Sequence, residues 1–166
     1  FEMGGMTIEV QAPIFVFREW HRHRTQSYSE LSARYTPLLD LFYVPSIERL
    51  MTAKQATMNK QSSKEGFTRT DALNIQGRLQ ASYQDARHTY EALLSFGVAR
   101  EVARFCLPVT QYSRMRASAN LRNWLHFLSL RLDPAAQWEI QQFAQAVAGL
   151  VRDAFPRTHA LFTNSA

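Results

Sequence analysis

Polar and β-branched residues alternate over 7–10, the period of two that predicts a β-strand. Pro13 comes next, where the first turn of a helix tolerates it, and Ile14-Phe15-Val16-Phe17-Arg18-Glu19-Trp20 continues as that helix. Arg22, His23 and Arg24 then fall at its C-terminus, where cations suit the helix dipole, and the polar run to Tyr35 is extended or looped. Thr36-Pro37 and Val44-Pro45 break the chain, and Ser46 is placed to cap a short helix to about Ala53. The Lys/Ser/Asn/Gln-rich stretch over 57–68 predicts a mobile surface loop. Asp71 opens a long helix to Phe96 with Leu73, Leu79, Tyr83, Tyr90 and Leu94 along one stripe, and Gly97 closes it at the C′ position. A further helix over 98–107 stops at Pro108, and 109–118 alternates as a strand. Helix 120–130 follows. Asp133-Pro134 then opens a last helix whose Trp138, Phe143, Val147, Leu150 and Val151 recur at helical spacing.

Many helices and few strands give an α/β or α+β class: helix-rich, with a small, mainly antiparallel sheet. No repeat or composition shift divides the 166 residues, so one domain over 1–166 is expected. Nineteen basic residues against fourteen acidic leave a net charge of +5, which favours an anionic partner. The basic residues are scattered apart from Arg18, Arg22 and Arg24, so a small phosphorylated ligand fits better than a nucleic-acid track. Cys106 is the only cysteine, which excludes an intrachain disulfide and points to a reducing, cytoplasmic setting. No apolar run is long enough to cross a bilayer. No metal site is expected, because His21, His23, His88, His126 and His159 lack ligand-type spacing. Phe1 is not a natural start, so a preceding segment is expected.

The segment from Arg22 to Tyr35 is the densest in chemistry. Its arginines, serines, histidine and glutamate supply the guanidinium forks and hydroxyls that hold phosphates and heterocycle edges. Taken alone, it supports a phosphorylated ligand and no more. Its spacing, Arg-His-Arg, then Ser27, Ser29, Ser32 and Arg34-Tyr35, resembles the signature of the flavin-dependent thymidylate synthases. Phe1-Glu2, Ala12-Pro13-Ile14-Phe15-Val16, Tyr43-Val44-Pro45-Ser46, Arg104 to Pro108 and Asn120 to Ile140 are similar to that family as well.

The resemblance implies that family's fold, an FAD cofactor, and C5 methylation of dUMP to dTMP. Methylenetetrahydrofolate would be the carbon donor and NADPH the reductant. It also implies a homotetramer with active sites at subunit interfaces, and a preceding segment adding flavin and folate contacts. Arg22, His23 and Arg24 match the residues holding the flavin, and Glu2, Asn120, Arg122 and His126 match other flavin-side positions. Glu30, Leu31, Ser32, Ala33 and Arg34 match the segment around the uridylate, with Ser32 and Arg34 on its phosphate. Arg104 matches another nucleotide-binding arginine, and Arg131 the arginine at the uracil edge, where it would stabilise developing negative charge. Arg131 and Ser32 are the residues the resemblance places in catalysis.

Three positions depart from the family pattern. Glu19, on the substrate side, replaces a glutamine, and its charge suits a phosphate neighbour only if an arginine neutralises it. Ser29 replaces an asparagine, and Met3 a histidine. Cys106 sits in an apolar Phe-Cys-Leu-Pro context without a neighbouring base, so an inert thiol is expected and not a nucleophile. Two alternatives stay open. One is a UMP, or dual UMP/dUMP, C5-methylase of the nucleoside-antibiotic type; the other is a non-enzymatic nucleic-acid-binding module stacking on Trp20 and Tyr28.

Overall fold

Strand β1 (Gly5–Pro13) opens the fold in the computed structural model, which describes residues 1–55 and 63–164. It leads directly into α1 (Ile14–Trp20). Pro13 is therefore the last strand residue, not a helical one. The first donors of α1 are taken by carbonyls of a later segment: Ile14 N–H by Gln111 O at 3.0 Å and Phe15 N–H by Val109 O at 3.0 Å. β2 (Ser27–Glu30) and β5 (Tyr112–Asn120) complete an antiparallel sheet of order β1-β5-β2. A two-stranded ribbon joins β3 (Lys54–Gln55) to β4 (Ser63–Glu65). Of the loop expected over 57–68, residues 57–62 lie outside the described residues, and Ser63–Glu65 form β4 instead.

The helices are α2 (Ile47–Met51), α3 (Arg69–Ser95), α4 (Arg100–Ala103), α5 (Leu121–Arg131), α6 (Trp138–Ala154) and α7 (Pro156–Asn164). Ser46 caps α2 as expected, its hydroxyl accepting from Arg49 N at 3.1 Å. Thr68, not Asp71, caps α3; Asp71 is its reciprocal partner, with Asp71 N to Thr68 Oγ1 at 3.1 Å and Thr68 Oγ1 to Asp71 Oδ2 at 2.6 Å. Gly97 (φ +82°) ends α3, its N–H on Leu94 O and that of Val98 on Leu93 O, the paired bonds of a Schellman turn.

Two expected helices are shorter than the sequence suggests. The helix expected over 98–107 is the single turn α4 followed by a 3₁₀ turn, Arg104–Cys106, because the segment tightens ahead of Pro108. The last long helix starts at Trp138. Asp133 Oδ1 takes the N–H of Ala135 at 2.7 Å, two residues on, and closes a local turn before any helix can propagate.

The described residues form two compact units, one of Phe1–Val10, Val16–Ser29 and Met115–Ala166, the other of Gln11–Phe15 and Glu30–Arg114. The first is built on aromatic packing. Trp20 stacks on Phe127 at 4.6 Å and meets Trp124 edge-on at 6.4 Å, all three fully buried. Both indole N–H groups are satisfied, Trp20 by Gln26 Oε1 and Trp124 by Met6 O, each at 3.0 Å. Ile140, Ala144, Val147 and Val151 give α6 its buried stripe, whereas Trp138 and Leu150, expected on it, are exposed. The second unit is organised by α3, whose Tyr83 and Tyr90 are buried; Leu73, expected beside them, is exposed. Cys106 Sγ lies within reach of Ala86 O (3.5 Å) and Ala103 O (3.2 Å) as a weak donor.

Candidate active site

In the first unit the chain leaves α1 by a tight turn, with His23 N–H on Trp20 O at 3.0 Å and Gln26 N–H on His23 O at 3.1 Å. The Tyr28 hydroxyl closes it, 3.0 Å from Trp20 O and 2.8 Å from His23 O. Burial pushes that phenol up to about 12, which keeps it a donor. The turn drives His23 inward, with 6% of its surface exposed, against Phe127 at 4.9 Å.

Arg131, the last residue of α5, comes to meet it. Its Nε donates to His23 Nε2 at 2.8 Å, its Nη1 to Glu19 Oε2 at 2.7 Å and its Nη2 to Glu19 O at 3.1 Å. Three of five N–H donors are held, and the guanidinium plane is fixed. Burial, then the charge of Arg131, then His126 hold His23 down at about 4, so the ring is neutral at pH 7. Because Nε2 accepts from Arg131, the ring proton sits on Nδ1. The carboxylate of Glu19 has the arginine it needs.

The other residues of this unit expected on the flavin side lie near the same turn and along α5. Asn120 caps α5, its Oδ1 accepting from Asn123 N at 3.0 Å, and Asn123 Nδ2 reaches Thr25 O at 3.3 Å. Glu2 and Arg122 form an exposed ion pair at 2.7 Å. His126 is exposed, its ring 6.2 Å from that of His23. Arg22 and Arg24 are exposed, and their guanidinium groups have no partner among the described residues. Two unpaired guanidiniums beside a turn are the donor chemistry a dinucleotide's phosphates require, so the residues present fit a flavin cofactor. Met3 and Ser29 are both exposed.

The second unit holds the segment expected around the uridylate. Leu31 N–H is anchored on Arg114 O at 2.8 Å, and the turn after it has Tyr35 and Thr36 N–H on Ser32 O at 3.2 and 3.1 Å. This turn, the 3₁₀ turn and the start of β5 enclose a cavity of about 350 Å³, within the range of small-molecule sites. Glu30, Leu31, Ser32, Ala33 and Arg104 stand in its wall, so the structure brings five of the expected substrate residues together. Arg34 is not in the wall; its Nε is 3.1 Å from Glu101 Oε2, both side chains half exposed. A larger cavity of about 500 Å³, beside Tyr83 and Arg87, contains none of the expected residues.

Gln111 and Ser113 also line the smaller cavity, and the sequence reading omits both. Their signal lies in phase: Gln111, just before β5, and Ser113, within it, continue the every-second-residue burial of Met115 and Ala117, so two polar side chains occupy buried positions.

Residues 1–157 match the family model described as "Thymidylate synthase complementing protein". The chain belongs to this family. Flavin-dependent thymidylate synthases of Thermus thermophilus and Thermotoga neapolitana are 45% and 40% identical to it, each over 162 residues and 98% of the chain. Those alignments cover 57% and 68% of the relatives' own lengths, so the chain spans little more than half of the Thermus protein. Among solved structures, the fold is similar to the UMP/dUMP methylase PolB of Streptomyces cacaoi. With 5-Br dUMP bound, the TM-score is 0.86 at 36% identity, covering 96% of this chain and 70% of PolB; with 5-Br UMP bound it is 0.87 at 37%, covering 96% and 74%.

Proposed function

We propose that the protein is a flavin-dependent methylase of uridylate C5, converting dUMP to dTMP. The observation that carries this reading is the cavity in which Glu30, Leu31, Ser32, Ala33 and Arg104 converge, in a chain of this family. Ser32 and Arg104 supply hydroxyl and guanidinium donors for the nucleotide's phosphate. Arg131, fixed by His23 and Glu19, keeps its remaining N–H groups for a pyrimidine on which negative charge develops. Its carboxylate partner offsets its charge at rest, and its fixed plane lowers the reorganisation needed during reaction. Arg22 and Arg24 bind the phosphates of FAD, with Glu2, Asn120, Arg122 and His126 on the flavin side.

Bound flavin would supply the hydride that completes the methyl group, with electrons from NADPH and carbon from methylenetetrahydrofolate. A homotetramer with sites at subunit interfaces lets a small chain serve three large ligands, and a reducing cytoplasmic setting suits its single cysteine. Among the described residues no helix is long and apolar enough to cross a membrane.

UMP is the second reading, favoured by the similarity to a methylase whose structures hold both 5-Br dUMP and 5-Br UMP. Turnover of dUMP and UMP by the purified enzyme decides between them. The first reading expects dTMP to form faster at equal substrate; faster methylation of UMP overturns it.

A further inference from the structure

Among the described residues, six buried side-chain polar atoms lack a hydrogen-bond partner, and two of them belong to residues on the wall of one cavity. These are Gln111 Oε1 and Ser113 Oγ, on side chains that are 0% and 1% exposed. The amide of Gln111 is not free to turn over. Its Nε2 donates towards Leu39 O, and towards Leu41 O and Tyr112 O at 3.1 Å each, so the other end is fixed as a carbonyl acceptor. Ser113 follows two residues later, in β5 and in the same cavity wall, with a hydroxyl that can donate and accept. An acceptor that needs a donor thus shares a cavity wall with a hydroxyl that needs either. Leaving both empty costs stability, and no apolar packing role demands a hydroxyl at Ser113.

We propose that Gln111 and Ser113 read a hydroxyl of the nucleotide's sugar. This rests on the assignment of the cavity to a uridylate. One ligand hydroxyl can donate to Gln111 Oε1 and accept from Ser113 Oγ–H, satisfying both orphaned atoms with a single group. A phosphate cannot do this, because at pH 7 it offers the glutamine no dependable proton, and its cationic and hydroxyl partners are Arg104 and Ser32. The pair therefore acts in specificity: it favours nucleotides that carry the hydroxyl and contributes nothing to those that lack it.

The test is a binding cycle on the flavin-loaded protein with UMP, dUMP and 2′,3′-dideoxy-UMP, using wild type and Ser113→Ala. Wild type should lose about fivefold to tenfold in affinity at the step that removes the hydroxyl read, the worth of one or two neutral hydrogen bonds. Ser113→Ala should bind the hydroxylated nucleotide weaker by a similar factor, bind dideoxy-UMP as wild type does, and show an unchanged or higher melting temperature. The step that loses affinity, UMP to dUMP or dUMP to dideoxy-UMP, identifies the 2′- or the 3′-hydroxyl. Gln111→Glu, which keeps an acceptor but loses the Nε2 donors, checks that the loop carbonyls hold the amide: it should lower the melting temperature. An equal loss for all three nucleotides places Ser113 on another part of the ligand and overturns the proposal, as does no loss for any. Failure of wild type to bind any of the three overturns the uridylate reading itself.

Discussion

Arg131 is held by two groups of different character, and each makes a separate prediction. Removing it in Arg131→Ala leaves the Glu19 carboxylate without its cation and the buried His23 Nε2 without its donor. We expect methylation to be abolished, bound flavin to be retained, and stability to fall by about 1–3 kcal/mol, read by denaturant midpoint together with flavin absorbance. Near-normal turnover contradicts the placement of Arg131 on the uracil. His23 predicts a pH dependence. Its folded value, about 4, lies below the ordinary 6.5, so between those values the unfolded chain takes up a proton that the folded chain refuses. Stability is therefore full above pH 6.5 and declines as pH falls towards 4, by roughly 3 kcal/mol in total. His23→Gln, which cannot titrate, should flatten that part of the melting-temperature profile. The family resemblance assigned these residues to different ligands. Arg131 and His23 lie 108 positions apart, and only the folded path of α5 past the turn after α1 reveals that one positions the other.

Helix ends were the most legible elements, because capping is chemistry between residues two to four positions apart. Ser46 and Gly97 stand where their side chain or conformational freedom predicts; Asn120, expected as the first helical residue, is the cap of α5, and Thr68 caps α3 three residues before the expected Asp71. Asp133 misled because an aspartate can close a two-residue turn as readily as it caps a helix. The stripes of α3 and α6 were legible at Tyr83, Tyr90, Val147 and Val151 but not at Leu73, Trp138 or Leu150, since helical phase gives the buried face only to within a residue or so. Asn120 carries two assignments that one pair of variants separates. Asn120→Ala should cost about 1 kcal/mol through loss of the α5 cap. Asn120→Asp keeps an acceptor for Asn123 N, so it should preserve the melting temperature yet lose flavin occupancy if the amide donates to the cofactor. Full flavin content in Asn120→Asp confines the residue to capping.

Across the whole molecule, expected site residues gather in each unit: a flavin-side group with Arg131, and a cavity with Ser32 and Arg104. The resemblance named five residues that stand in the cavity wall, four of them in the spaced motif and Arg104 outside it, whereas Gln111 and Ser113 were hidden because polar residues on an alternating strand usually belong to its solvated face. Arg22 and Arg24 have no internal partners among the described residues, so replacing either by alanine should leave stability within about 0.5 kcal/mol while lowering flavin content. If active sites form between subunits, with the flavin-side group of one chain facing the cavity of another, mixing Arg131→Ala with Arg104→Ala chains should restore part of the turnover in reassembled oligomers. No recovery after verified mixing contradicts shared sites. The central claim is that this chain's exposed arginines and α5 hold a flavin, and the visible absorbance spectrum of the purified protein, before and after NADPH, tests it most directly. We predict a yellow protein whose flavin band bleaches on reduction; a colourless protein that takes up no added FAD contradicts the account.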